Sequence, residues 1–335
     1  MFTLRHIKLQ YQLWLSIILM TMLPILLVTV YYVHTMTSTL QDEIRLNYQQ
    51  IATIRSSEVD MLFNQAKEDI LFIAQSFELR RYINAPTERL TDRYLLDIER
   101  LLVNFLARSN LIYHRACVLD AQGMERICAG KNDEAQITII DALESRIDSD
   151  YFNGAMSLTG IPGDRIPIYV SDVLSNQRGD DTSTGALPVI HYATRLQTDD
   201  GVMSGVLAFD LDFRVLIDLL EPRRDGEVVY LVNAVGDYLF HPQHTDNPND
   251  RSRNLHDDYT QDAPTILSTP QDLLFYPRDN AEDILFFTRI QPRNHSTRWT
   301  AIYRQPRAIA FEPIRQARLF IVGLSALLIV SVSFV

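Results

Sequence analysis

The sequence predicts an α+β fold in which a long N-terminal helix carries two small antiparallel-sheet modules, flanked by transmembrane helices. Three observations predict it. Uncharged apolar runs stand near both ends, from Trp14 to Val33 and from Leu319 to Val335. The stretch from about Thr37 to Asn84 contains no Gly or Pro and repeats apolar residues mostly every three or four positions. Beyond Asn110 the pattern changes to short β-branched and aromatic runs separated by turn residues. Composition agrees: 335 residues with 47% apolar side chains and a formal charge of −11 are too apolar for a disordered tail, too polar for a polytopic transporter and too acidic for a nucleic-acid binder.

Residues 1–13 are read as a cytoplasmic N-terminus and 14–34 as a first transmembrane helix. About 20 apolar residues at 1.5 Å each match a hydrocarbon layer of roughly 30 Å. Pro24 lies mid-span, and Trp14, Tyr31 and Tyr32 sit where interfacial aromatics belong. A cleaved signal peptide would have a shorter apolar core, roughly 7–15 residues, and a small-residue cleavage site. Arg5 and Lys8 precede the run, and no basic residue follows it before Arg45, so the positive-inside rule places the N-terminus in the cytoplasm and the bulk of the chain outside. At the other end, residues 306–335 read as a helix entering a second span. Either this is a short terminal anchor or the sequence ends inside a transmembrane helix; the second is expected.

Residues 35–109 hold the stalk helix and a second helix, from about Thr87 to Arg108, separated by Asn84-Ala85-Pro86 because proline cannot continue the hydrogen-bond ladder. The stalk's apolar stripe runs through Ile44, Tyr48, Ile51, Ile54, Leu62, Ala66, Ile70, Ile73 and Phe77. It exceeds what one small module needs as cover, and so predicts a homodimer seam. Predicted strands are Tyr113–Leu119, Glu125–Ala129, Ile166–Val170, Val189–Leu196, Val202–Asp210, Val228–Asn233, Tyr238–His241, Ile284–Ile290 and Trp299–Tyr303, with helices at Ile140–Ile147, Asp150–Leu158 and Phe213–Leu220. The polar segment from Glu221 to Gly226 separates a module at 110–225 from one at 226–305, and each opens with a β-turn-β unit, CVLDAQGMERI and VYLVNAVGDYLF.

In this order of elements the chain resembles the double Cache, or tandem PAS-like, extracytoplasmic sensor domains of bacterial signalling receptors. The residues that carry the resemblance are Tyr113 to Gly130, Tyr151-Phe152, Tyr169 to Val173, Pro188 to Asp212 and Tyr230 to Pro242. It spans roughly residues 35–310; the motifs are individually loose and their order is what is specific. The resemblance implies a ligand-holding membrane-distal module followed by a membrane-proximal one. It also implies a cytoplasmic output, such as a histidine kinase, diguanylate cyclase or chemotaxis helix, which this sequence does not contain.

Cys117 and Cys128 flank one hairpin outside the cytoplasm, where a disulfide persists. A two-residue loop at Gln122-Gly123 places them directly opposite, whereas a three-residue loop with Gly123 left-handed slips the register and turns them to opposite faces. In similar sensor domains arginines often stand at these positions, so an anionic-ligand grip does not carry over. For the ligand site, the resemblance points by position to Tyr151, Tyr169, Asp172, His191 and Arg195. His191, Ala193 and Arg195 alternate on one strand face, and a cation between aromatic walls suits a small carboxylate or amine. The competing reading makes the two tyrosines core and Arg195 a solvated edge. The Arg-x-Trp-Tyr element of amino-acid-binding Cache domains is absent, with Ser149 and Tyr151 at its arginine and tryptophan.

His241, His244, Asp246, Asp250, His256, Asp257 and Asp258 have no compact metal-ligand spacing, and neither metal nor cofactor is expected. No nucleophile elbow, phosphate loop or His-Glu-x-x-His motif occurs. The expected function is thus non-enzymatic: a small-molecule sensor in contact with the lipid bilayer, passing a ligand-induced shift to the second membrane helix. A membrane-anchored extracytoplasmic enzyme or a stand-alone binding protein is the alternative.

Overall fold

A computed structural model describes residues 9–85, 88–109, 112–132, 134, 136–158, 166–175, 188–221, 226–242, 254–269, 273–275, 282–290 and 298–334. The chain begins with a 66-residue helix, α1 (Leu9–Ala74), which runs through Pro24 without a break. It stops ahead of Pro86. Ser76 ends it by turning extended and accepting the Leu79 N–H, which starts the short α2 (Phe77–Ile83). A third helix, α3 (Glu88–Arg108), returns alongside.

The first sheet is built from β1 (Tyr113–Asp120), β2 (Glu125–Lys131), β3 (Ile137–Ile139), then, after helix α4 (Asp150–Ser157), β4 (Ile168–Ser175), β5 (Pro188–Gln197) and β6 (Met203–Asp212). Its spatial order is β3-β2-β1-β6-β5-β4, antiparallel throughout. Helix α5 (Phe213–Leu220) leads to the second sheet: β7 (Val228–Val232), β8 (Tyr238–Phe240), the short helices α6 (Leu255–Asp258) and α7 (Ala263–Ser268), β9 (Leu273–Phe275), β10 (Asp283–Ile290) and β11 (Trp299–Pro306), in the order β8-β7-β11-β10-β9. From β11 the chain passes directly through α8 (Arg307–Ala310) into α9 (Glu312–Phe334).

The opening turns of the two sheets share one chemistry. Asp120 Oδ1 accepts the N–H groups of Gln122 and Met124, and Asn233 Oδ1 those of Val235 and Asp237; Gly123 and Gly236 take the positive φ that follows. Helix α1 backs both sheets. Against the first, the Tyr113 hydroxyl donates to Asp69 at 2.6 Å, while Phe105 of α3 stacks on Phe209 at 5.2 Å. Against the second, Phe63 meets Trp299 and Tyr48 stacks on Phe286, with ring centroids 5.7 and 5.8 Å apart.

Several expectations need correction. Ile140–Ile147 is not a helix. Its backbone is engaged by the edge of β2, with the Ile140 N–H on Cys128 O, the Glu125 N–H on Glu144 O and the Arg146 N–H on Gly123 O, which leaves no i→i−4 ladder. The stalk stripe serves its own chain: Tyr48, Leu62, Ala66, Ile70 and Ile73 are buried in the core, whereas Ile54 and Phe77 are exposed. Two sheets, not one small module, absorb the stripe, so its excess is no argument for a dimer. Among the described residues no helix is long and apolar enough to cross a membrane. Transmembrane assignment at 14–34 and 319–335 therefore rests on the sequence.

Candidate functional site

The far face of the first sheet, away from α1, assembles the site. Strand register sets it out in rows: Arg115, Asp210 and His191 lie side by side on β1, β6 and β5, as do Cys117, Ala208 and Ala193, with Tyr169 of β4 next to Ala193. The middle row is small, and α4 lays Tyr151 and Phe152 over it. Ser149 fixes the start of α4 by accepting the Phe152 N–H. Gly154 lets Tyr169 close against this helix, because a Cβ there would lie 2.3 Å from the Tyr169 ring.

Cys117 and Cys128 form a disulfide beneath this face. Both register alternatives contribute to it. Gly123 is left-handed, and a bulge between Val118 and Leu119 absorbs the slip, so that Val118 faces Ile127 and Cys117 faces Cys128. Closing this loop contributes about 3 kcal/mol in the chain-entropy model.

Two buried polar groupings border the disulfide. Glu125 holds Arg115 (2.6 Å) and Arg146 (2.8 Å), and Arg115 also donates to Cys128 Sγ at 3.2 Å. His191 Nδ1 meets Asp210 Oδ1 at 2.7 Å, and its ring lies 4.6 Å from that of Tyr151. Burial by itself would raise the Asp210 pKa, but the charge and hydrogen bond of His191, with Arg115 and His114 adding to them, hold it below the usual carboxylate range. Burial first, then Asp210, pushes the Tyr151 phenol up; burial and the carboxylates of Asp150 and Asp172 do the same to Tyr169.

Of the five residues picked from the sequence, Tyr151, Tyr169 and His191 come together. Asp172 is exposed at the rim and acts on Tyr169 through its charge. Arg195 shares the strand face, but it makes no ion pair among the described residues and its Nε is enclosed without a hydrogen bond. Sequence reasoning missed Arg115, Glu125, Arg146 and Asp210. The available signal for Asp210 was an acid flanked by Phe209 and Leu211 in the apolar run VLAFDLD, which demands a buried partner. Among the described residues, Cys117, Glu125 and Cys128 are the grouping with metal-ligand proximity, and the disulfide takes both thiols. His241 instead packs against Tyr230 and Tyr238, each with ring centroids 5.0 Å away.

No protein-family model matches the chain, and no curated protein matches it in sequence. Solved structures do match in fold. A domain of a sensory box/GGDEF family protein from Vibrio parahaemolyticus superposes with TM-score 0.67 at 18% identity, over 80% of this chain and 98% of that one. The extracellular domain of the histidine kinase vpHK1S-Z8 gives 0.66 at 18% identity, over 83% and 94%. The ligand-binding domain of the Campylobacter jejuni chemoreceptor Tlp3, in complex with L-valine, gives 0.56 at 15% identity, over 82% and 96%. The chain thus has the fold of the extracytoplasmic Cache-type sensory domains of bacterial histidine kinases, GGDEF proteins and chemoreceptors.

Proposed function

We propose that the chain is the extracytoplasmic small-molecule sensor of a bacterial transmembrane receptor, with the ligand held in the first, membrane-distal module at 110–225. The observation that carries this reading is the polar and aromatic cluster of Tyr151, Tyr169, His191 and Asp210 under α4, on a fold whose neighbours include a domain bound to L-valine. Residues 226–305 are the proximal module, and α8–α9 is the exit toward the second span. A ligand acts on that exit only by preferring one of two arrangements of stalk and sheets, whatever its absolute affinity.

Anchoring in the inner membrane through 14–34 and 319–335 follows from the two apolar runs, and the exposed Leu23, Leu26, Leu27, Leu319 and Phe320 suit lipid contact. Homodimerisation along the stalk is retained with a different seam. Ile54, Met61 and Phe72 are exposed, and spacings of seven and eleven residues bring them to one side of α1.

Calorimetric titration of the full chain in detergent with a panel of small metabolites tests the sensor reading. A saturable ligand whose binding disappears in Tyr151→Ala, with the melting temperature kept, is the expected result. Saturable binding by none of the panel, or a hydrolytic activity toward generic esters or phosphates, counts against it.

A further inference from the structure

On the side of the first sheet that carries α1, opposite the α4 face, the helices leave a second recess. A groove of about 560 Å³ opens where α1 gives way to α2 and α3 returns alongside. That volume lies in the range of small-molecule sites, roughly 300–1,000 Å³. Its floor is apolar, with Ile73 buried and Leu101 and Phe105 half-buried. Phe72 and Phe77 stand at its edge, each 67% exposed, and two aromatic rings at one recess exceed the scattered exposure of an ordinary surface. The charged groups that line the groove are Arg81, Arg100 and Arg108 against Glu78 and Asp97. Their balance is positive on a chain of net charge −11. None of the five forms an ion pair or a side-chain hydrogen bond with another described residue. Arg100 and Arg108 are exposed with Asn104 between them, and spacings of four keep the three on one lip of α3. Arg81 is held differently: its guanidinium lies 4.2 Å from the Tyr94 ring centroid and 5.2 Å from that of Phe77. Such stacking fixes the guanidinium plane and leaves its N–H edge for a carboxylate, which matches that fork with two parallel acceptors.

We infer that this groove is a second binding site, for a small aromatic carboxylate. The ring of the ligand rests on Leu101 and Phe105 beside Phe72 and Phe77, its carboxylate is taken by Arg81, and Arg100 and Arg108 draw it in at the lip. The site shares no residue with the cluster under α4 and does not depend on what that cluster binds.

The experiment compares three probes with one aromatic body: 2-naphthoate, the neutral 2-naphthamide and the cationic 2-naphthylmethylammonium. Each is titrated calorimetrically into the full chain in detergent, with its heat in detergent alone subtracted. Naphthoate is expected to bind saturably and to weaken as salt is added, because exposed charges are screened. The amide and the ammonium are expected to bind at least about tenfold more weakly, the loss that follows from a missing charge-assisted hydrogen bond. Arg81→Gln should weaken naphthoate by a similar factor, and Arg81→Lys, which keeps the charge without the stacked fork, should recover only part of it. Phe77→Ser should weaken all three probes. Arg81, Arg100 and Phe77 are exposed, so these variants and Arg100→Gln should keep the melting temperature. Tyr151→Ala, on the α4 face, should leave naphthoate binding unchanged. Equal binding of naphthoate and naphthamide would show an apolar patch without a carboxylate grip and overturn the inference, as would naphthoate binding that Tyr151→Ala removes. No saturable heat with naphthoate also overturns it; if Phe77→Ser then abolishes self-association in sedimentation, the groove belongs to a second copy of the chain. The sensor reading stands or falls separately, on the metabolite panel and Tyr151→Ala.

Discussion

At the scale of single residues, the decisive positions are those where one atom more or one charge less has nowhere to go. A Cβ on Gly205 would lie 2.0 Å from the Leu119 carbonyl oxygen of the neighbouring strand, a backbone atom fixed in the sheet. The atoms nearest a Cβ on Gly154 belong to the Tyr169 ring, a side chain rather than fixed backbone. Gly205→Ala is therefore expected to cost about 3 kcal/mol or more, and Gly154→Ala nearer 1 kcal/mol with a larger loss of ligand affinity than of stability; thermal melts and titrations separate the two. Asp210 sets an acid limit. Its folded pKa lies below the unfolded value near 3.9, so its contribution is fully present above that value and is lost as the pH falls through the folded one. In acid titrations followed by circular dichroism, Asp210→Asn should unfold with a shallower dependence on pH below about 4 than the unaltered chain. Equal slopes would exclude Asp210 from that limit. Neither point was legible in the sequence: a glycine's neighbour and an acid's partner are both set by strand register, which periodicity does not fix.

At the scale of elements, hydrophobic period and turn chemistry exposed much of the fold. The hairpin turns at Asp120 and Asn233 were legible because Asx and Gly at those spacings have few other uses. The segment 140–147 misled because Ile140, Leu143 and Ile147 mimic a helical period while their backbone is spent on the edge of β2. The predicted strand ending at Val170 continues to Ser175, past an irregularity between Val170 and Val173 that re-aims Asp172 toward solvent. The terminal helices carry a contact no period announces: Thr29 Oγ1 and Ser325 Oγ lie 2.7 Å apart, each also against the carbonyl one turn earlier, Ile25 and Ile321. Paired small hydroxyls let apolar helices approach and join them by a hydrogen bond. Thr29→Cys with Ser325→Cys should accordingly cross-link under mild oxidation of the full chain, since their separation suits a disulfide. A Leu26→Cys and Leu324→Cys pair, both exposed, serves as the control. Failure of the first pair, or equal yield from the second, would show that α1 and α9 are not packed this way.

For the molecule as a whole, the question is how the ligand proposed under α4 would act on α9. Helix α1 is in contact with both sheets and with α9, and β11 runs directly into α8 and α9, so the proposed signal has a continuous route from the second sheet to the C-terminal helix. One buried ion pair joins these parts. Arg55 of α1 is 1% exposed; its Nη2 lies 3.6 Å from Glu227 Oε2, at the entry to β7, and its guanidinium lies 4.5 Å from the Tyr303 ring centroid on β11. Burial is the main reason that the Tyr303 phenol is pushed up to about 12, even though Arg55 draws it down. The pair stands where the chain leaves the first module, so it ties that junction to the stalk. Removing either partner leaves the other buried charge less compensated, at up to about 3–5 kcal/mol, whereas replacing both restores a neutral contact. Arg55→Met and Glu227→Met are each expected to lower the melting temperature markedly, and the double variant to melt above either single one. If the double variant only adds the two losses, the pair does not act as a unit. If it is stable and still binds ligand with unaltered affinity, but the ligand no longer changes Thr29–Ser325 cross-linking, then Arg55 and Glu227 carry the signal rather than the fold.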